Sequence, residues 1–127
     1  MEKNTGYLSI DKPQNKDKKY LERNPFVPNM NIFETIKVLS AFYRGREAID
    51  CLDLSANYNK LLDDAVTISL ALKELGVKEK DIVTVSMPNF YQAVATFLAC
   101  NRIGAITTFL NSFEPEEEIY EYLNLFS

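Results

Sequence analysis

The sequence predicts an α/β fold, a partial and mostly parallel sheet flanked by helices. Three observations predict it. Ile82, Val83 and Val85, and again the run from Ile106 to Leu110, have the length and β-branched character of buried strands. The stretch between them, Asn89 to Arg102, carries helical periodicity. Met87-Pro88 and Gly104 punctuate the boundaries. Strand, helix and strand in this order imply a parallel pair with a right-handed crossover.

The elements follow in chain order. Residues 1–30 read as a polar lead. Pro13, Pro25 and Pro28 argue against a helix through it. Lys12, Lys16, Lys18 and Lys19 are interleaved with Asp11, Asp17 and Glu22, which suits a solvated arm better than an anion-binding patch. Residues 31–127 hold the folded unit. A helix is expected from Ile32 to about Tyr43, capped by Asn31 with Glu34 in the capping-box position. Ile32, Ile36, Leu39 and Tyr43 would share its apolar face. Arg44 and Gly45 end it. A short strand around Ala48–Leu52 comes next, and Asp53–Asn57 reads as a polar turn.

Leu61, Ala65, Ile68, Leu72 and Leu75 form one stripe of a further helix. Gly76 lies just past its end, where left-handed geometry favours glycine, and Val77 can close the cap. Lys78–Asp81 is an exposed connection into the first parallel strand. Asn89, with Gln92 three residues on, is expected to cap the crossover helix. Val94, Phe97 and Leu98 would face the core, and Ala93, Ala95 and Ala99 would keep that helix thin enough to lie close on the sheet. Gly104 stops it. Thr107 and Thr108 suit a strand with one face toward solvent or a polar cavity. Pro115 fits the first turn of a last helix, and Glu116, Glu117 and Glu118 place negative charge at the positive end of its dipole.

Composition bounds the function. A chain of 127 residues is one domain at most, and 46% hydrophobic residues supply a core. The net charge of −4 argues against a nucleic-acid surface. No apolar run approaches the roughly 20 residues that cross a bilayer, and the opening residues have no apolar stretch of the secretory kind. A cytoplasmic placement is expected. Cys51 and Cys100 sit in apolar neighbourhoods and read as small buried hydrophobes in a reducing compartment, not as a disulfide or metal pair. Histidine is absent, which removes His-dependent triads and His-ligated zinc.

The residues that could carry chemistry have plainer explanations. Gly6, Gly45, Gly76 and Gly104 stand apart, so there is no glycine-rich phosphate loop. Ser86 follows a strand without the flanking glycines of a nucleophile elbow. Asp63 and Asp64 fit a helix dipole, and Asp81 fits a turn. Three consecutive glutamates on a helix point in different directions, which disfavours a metal site. The seven tyrosines form no periodic stripe for stacking bases. No residue is assigned as catalytic, cofactor-binding or metal-ligating.

Five segments in register resemble a known family. Asn57-Tyr58-Asn59-Lys60-Leu61 resembles the "TY-x-x-L" helix start of adenylate-forming enzymes. Leu75 to Val83 resembles their "LGV-x-x-GD-x-V" segment, and Met87-Pro88-Asn89 their "(L/M)PN" turn. Arg102-Ile103-Gly104-Ala105-Ile106 resembles their step into the next strand, and Glu117-Glu118-Ile119 the opening of the following helix. The resemblance runs from about Asn31 to the C-terminus and is to the N-terminal part of the large domain of the AMP-binding acyl-CoA synthetases and ligases. The Asn101–Ile106 wording leans toward the fatty-acyl branch. Lys80 departs from the family glycine before Asp81, and Asn57 from the threonine before Tyr58.

For a complete relative the resemblance implies ATP, Mg and CoA, and a carboxylic acid as substrate. It implies adenylation of the acid followed by thioester formation. The family's phosphate loop, adenine segment, ribose-binding Asp and catalytic Lys lie further along than Ser127, so no family functional residue maps onto this sequence. The isolated chain is expected to be inactive, to need the rest of the adenylating domain as its partner, and to self-associate through an exposed sheet edge. The competing readings are an adenylation-domain piece of a peptide synthetase, a stand-alone non-catalytic α/β interaction module, and a small flavodoxin-like binding domain.

Overall fold

A computed structural model describes residues 30–52 and 54–125. The expected lead, apart from Met30, and Asp53 lie outside the described residues. The elements are α1 (Ile32–Leu39), β1 (Glu47–Cys51), β2 (Leu54–Asn57), α2 (Tyr58–Glu74), β3 (Ile82–Ser86), α3 (Tyr91–Ile103), β4 (Ile106–Leu110) and α4 (Glu116–Asn124).

The parallel pair stands as the sequence predicts. β3 and β4 pair from Ile82 against Ile106 to Ser86 against Leu110, with α3 as the crossover. Side chains alternate across such a pair, so Val83, Val85, Thr107 and Phe109 share one face. α3 covers that face, where the Phe97 and Phe109 rings lie 6.3 Å apart. On the opposite face Ile82 and Ile106 are exposed, and the Thr84 and Thr108 hydroxyls meet at 3.1 Å.

α3 packs more extensively on α2 than on the strands. Leu61, Leu62 and Ala65 of α2 join Tyr91, Ala95 and Leu98 of α3 in the buried core. The expected role of the alanines is thus shared differently, since Ala95 brings α3 close to a helix. Two polar links flank this contact. The Tyr91 hydroxyl donates to Asp64 Oδ2 at 2.6 Å, and Arg102 Nη1 donates to Ser69 Oγ at 2.9 Å.

α1 differs from its expectation. Asn31 caps it, accepting from Glu34 N at 2.8 Å, but it ends at Leu39 and turns occupy the following residues. The buried side chain is Phe33, with Ile36 packed beside it, whereas Ile32, Leu39 and Tyr43 are exposed. The cause lies on α3. Asn101 Oδ1 accepts from Phe33 N at 2.9 Å, and the Arg102 guanidinium sits 5.8 Å from the Phe33 ring centre. These long-range contacts set which face of α1 turns inward.

The segment expected as a turn before α2 is partly a strand. β2 pairs antiparallel with β1, and Ala56 joins the core. Ala56 is the one buried residue of its four, too few for periodicity to reveal. Asn57, expected within that turn, instead caps α2, accepting from Lys60 N at 2.9 Å. α3 also starts later than expected. Phe90, not Asn89, is its N-cap and makes no side-chain cap bond. The chain bends first, with Phe90 N donating to Pro88 O at 2.7 Å.

The C-terminus of α2 follows the sequence closely. Gly76 has φ +93°, Gly76 N donates to Lys73 O, and Val77 N donates to Leu72 O, both at 3.0 Å. That double closure is the Schellman arrangement. Gly104 ends α3 at φ +78°, and a Cβ there would lie 2.8 Å from Glu79 Cγ. The 78–81 loop closes against this point, since Lys80 N donates to Gly104 O at 2.8 Å. Lys80 is held at φ +70°, a left-handed conformation that a Cβ disfavours by about 1–2 kcal/mol. Replacing Lys80 by glycine, the residue that the resembled family carries there, is expected to raise unfolding free energy by about 1 kcal/mol, as read from the urea midpoint. An unchanged or lowered midpoint would contradict the strain at Lys80.

Candidate functional site

Open parallel sheets bind ligands outside the carboxyl ends of their strands, where loops diverge. Here those ends are Ser86 and Leu110, and the loops that follow enclose a crevice of about 400 Å³. Met87, Pro88 and Asn89 form one wall, and Asn111, Ser112 and Phe113 the other, with Phe109 and Leu110 at the base. The proline cannot extend the β3 ladder, which releases the chain at that point. The opposite loop is shaped by Asn111. Its Oδ1 accepts from Phe113 N at 3.2 Å and its Nδ2 donates to Glu114 Oε1 at 2.9 Å. An apolar groove of about 340 Å³ continues from the crevice along α3, sharing Asn89 and Phe109 and adding Phe90, Val94 and Phe97.

No charged side chain lines the crevice. Its polar groups are the amides of Asn89 and Asn111 and the Ser112 hydroxyl. Such a lining can orient a ligand through neutral hydrogen bonds and aromatic contact, and it offers no general acid or base. Among the described residues no three carboxylate or cysteine side chains are grouped to hold a metal. The donor set therefore does not fit a magnesium ion within this crevice.

The residues weighed from the sequence lie elsewhere. Ser86 is exposed at the end of β3. Asp81 Oδ2 accepts from Lys78 N at 2.8 Å and shapes the loop before β3. Cys51 is half-buried and Cys100 buried, and both are free thiols. Burial pushes the Cys100 thiol pKa up, against a hydrogen bond with Thr107. Glu117 is exposed on α4, and Glu118 is raised by its hydrogen bond and charge contact with Glu114. The sequence reasoning missed Asn111 and Ser112. Their signal is positional, as polar residues directly after a β-branched run.

Residues 39–126 match the family described as AMP-binding enzyme. The chain belongs to that family. The acetyl-coenzyme A synthetase of Rhizobium meliloti is 44% identical over 66 residues, half of this chain and a tenth of that protein. The acetyl-coenzyme A synthetase of Coprinopsis cinerea is 52% identical over 50 residues, 39% of this chain and 8% of its own length. Among solved structures, the NpsA N-terminal subdomain of Klebsiella oxytoca superposes with a TM-score of 0.70 at 22% identity, covering 75% of this chain and 25% of that one. The fused NpsA-ThdA adenylation-PCP di-domain, also from Klebsiella oxytoca, gives a TM-score of 0.72 at 22% identity, over 76% of this chain and 18% of that one. These likenesses establish the fold. The chain spans about a tenth of the length of the curated acetyl-coenzyme A synthetases it matches, and so carries part of an AMP-binding domain.

The start of α3 is tied to α2 through Tyr91 and Asp64. The Tyr91 hydroxyl and then Lys60, whose Nζ lies 2.9 Å away, hold the Asp64 carboxyl below the ordinary 3.8. Burial, and then the bond to Asp64, push the Tyr91 phenol well above its usual range. The signs follow. The lowered Asp64 contributes stability above pH 3.8 that is lost as pH falls toward its folded value. The raised Tyr91 contributes below pH 10.0 and is lost as pH rises past that. Replacing Tyr91 by phenylalanine is expected to cost about 1 kcal/mol near neutrality, because Asp64 keeps Lys60. The gap from wild type should be widest between about pH 5 and pH 9 and should narrow at both extremes. A series of urea midpoints against pH checks this, and a gap that is flat with pH would refute it.

Proposed function

We propose that this chain is part of an ATP-dependent acid–thiol ligase of the acyl-CoA synthetase kind. The observation that carries the reading is the sequence identity to acetyl-coenzyme A synthetases, within a family match that spans both parallel strands and their crossover. In the proposed reaction a carboxylate oxygen attacks the α-phosphorus of ATP. The bond to the β-phosphate breaks and pyrophosphate leaves, giving an acyl-adenylate. The thiol of coenzyme A then attacks the acyl carbon, and AMP departs with the electrons of the broken C–O bond. This chain's residues supply no proton transfer to either step. Their part is the uncharged crevice wall, which can orient a bound ligand and exclude water.

The acid is a carboxylic acid. The acetyl-coenzyme A synthetases among the relatives support a short one, while the Asn101–Ile106 wording supports the fatty-acyl branch. We place the protein in the cytoplasm, where ATP and coenzyme A are at hand. Among the described residues no helix is long and apolar enough to cross a membrane.

A chimera tests the reading. Residues 39–126 are put in place of the matching segment of an acetyl-coenzyme A synthetase, and acid-dependent ATP–pyrophosphate exchange is measured with acetate and with longer acids. Retained exchange is expected for the chimera, and none for the 127-residue chain alone. A folded chimera without exchange, or measurable exchange by the chain alone, would sink the proposal.

The partner of this chain is the remainder of the adenylating domain. Among the described residues β3 and β4 form a sheet of two strands, each with an unpaired edge, and Ile82 and Ile106 are exposed. Such edges and apolar faces seek partners. Light scattering of the isolated chain is expected to show mass rising with concentration. A constant monomer mass over the whole range would count against exposed-edge association.

A further inference from the structure

We propose that the turn joining α1 to β1 is a docking point for an anionic lipid surface, independently of the reaction above. Tyr43 N donates to Ser40 O at 3.0 Å and Arg46 N to Tyr43 O at 2.9 Å, so residues 40–46 form linked turns. The turn is tied to the start of α2. Asn59 N donates to Arg44 O at 3.1 Å, Tyr58 N donates to Arg46 O at 3.2 Å, and the Tyr43 and Tyr58 rings meet edge-on at 5.9 Å. It is therefore preformed, and little ordering is left for a partner to impose.

On this rigid turn Phe42 is 97% exposed. Val38 and Leu39, four and three residues before it, are exposed as well. A phenylalanine held out in water forgoes nearly all of its burial free energy. Two arginines lie within four residues of it, in a stretch bounded by Glu34 and Glu47. From Thr35 to Arg46 the sequence carries Lys37, Arg44 and Arg46 and no acid. Among the described residues the side chains of Arg44 and Arg46 have no hydrogen-bond or ion-pair partner, while the flanking acids are engaged, Glu34 with Lys37 and Glu47 with Ser55.

An apolar tip followed in the chain by two unpaired arginines matches the boundary between headgroup phosphates and acyl chains. Phe42 would enter the acyl region while Arg44 and Arg46 meet the phosphates. A projecting ring suits a deformable surface, whereas a protein partner would need a matching pocket. The net charge of −4 opposes general attraction to an anionic membrane, so the contact depends on this local cluster and weakens as salt rises.

The full chain is sedimented with phosphatidylcholine vesicles, with or without about a third phosphatidylserine. Binding is expected only to the anionic vesicles. The double variant Arg44→Gln/Arg46→Gln should lower the partition coefficient about 25-fold, about fivefold for each arginine. Phe42→Ser should lower it about tenfold, and Leu75→Ser, an exposed leucine at the far end of α2, should leave it unchanged. Circular dichroism confirms that each variant folds. Absence of binding, equal binding to both vesicle types, or insensitivity to the Phe42 and arginine variants would overturn the proposal. If vesicles fail to bind but Phe42→Ser removes a dimer seen by light scattering, the turn contacts a second copy and the lipid assignment falls.

Discussion

Close approach of α2 and α3 is the constraint on which the rest of this molecule rests. Ala65, Ser69, Ala95 and Ala99 are all fully or almost fully buried, and small residues let two helix backbones come near each other. Leu61, Leu62 and Leu98 fill the remaining space. Polar links flank the contact, Tyr91 to Asp64 and Arg102 to Ser69. Because α3 is also the crossover between β3 and β4, its position on α2 sets where the parallel pair lies. α1 is placed by the same helix, through Asn101 and Arg102. A larger side chain at Ala65 or Ala95 would shift three elements together, since interiors packed to crystal-like density have little room to absorb added volume.

The crevice follows from that arrangement. With α3 covering one face of the pair, both strands end at the same level and their loops open side by side. Nothing charged enters the space between them. The crevice thus offers shape and neutral hydrogen-bonding groups, and in the proposed reaction its lining supplies no charge stabilisation. The likeness to the curated relatives covers about a tenth of their length. On the other face of the pair Leu110 is buried while Ile82 and Ile106 are exposed, whereas parallel sheets are ordinarily buried on both sides.

Legibility from sequence varied with how local the determining forces are. β4 was readable to the residue, and the Leu72–Val77 closure and Gly104 stop were readable because glycine is favoured at left-handed helix ends. The five in-register segments pointed to the family that the match to residues 39–126 establishes. Three features were not readable. β2 is four residues long and polar in part, so its pairing with β1 leaves no periodic trace. The inward face of α1 centres on Phe33 because of partners 68 or more residues away. The start of α3 shifts from Asn89 to Phe90 because the chain bends once more after Pro88. The candidate site was the least legible, since Asn89 and Asn111 become neighbours only when β3 and β4 pair.

Local chemistry in the chain therefore determined every element but β2, their order, most of their ends and the family. Steric preference at Gly76 and Gly104, β-branching in the strands and the Asn31 and Asn57 caps act within a few residues, and such forces are written in adjacent letters. Only the tertiary structure decided which helix faces turn inward, that α3 rests chiefly on α2, and that an uncharged crevice opens at the strand ends. Those outcomes depend on contacts between residues far apart in sequence, and their free energy exists only once the chain has brought them together.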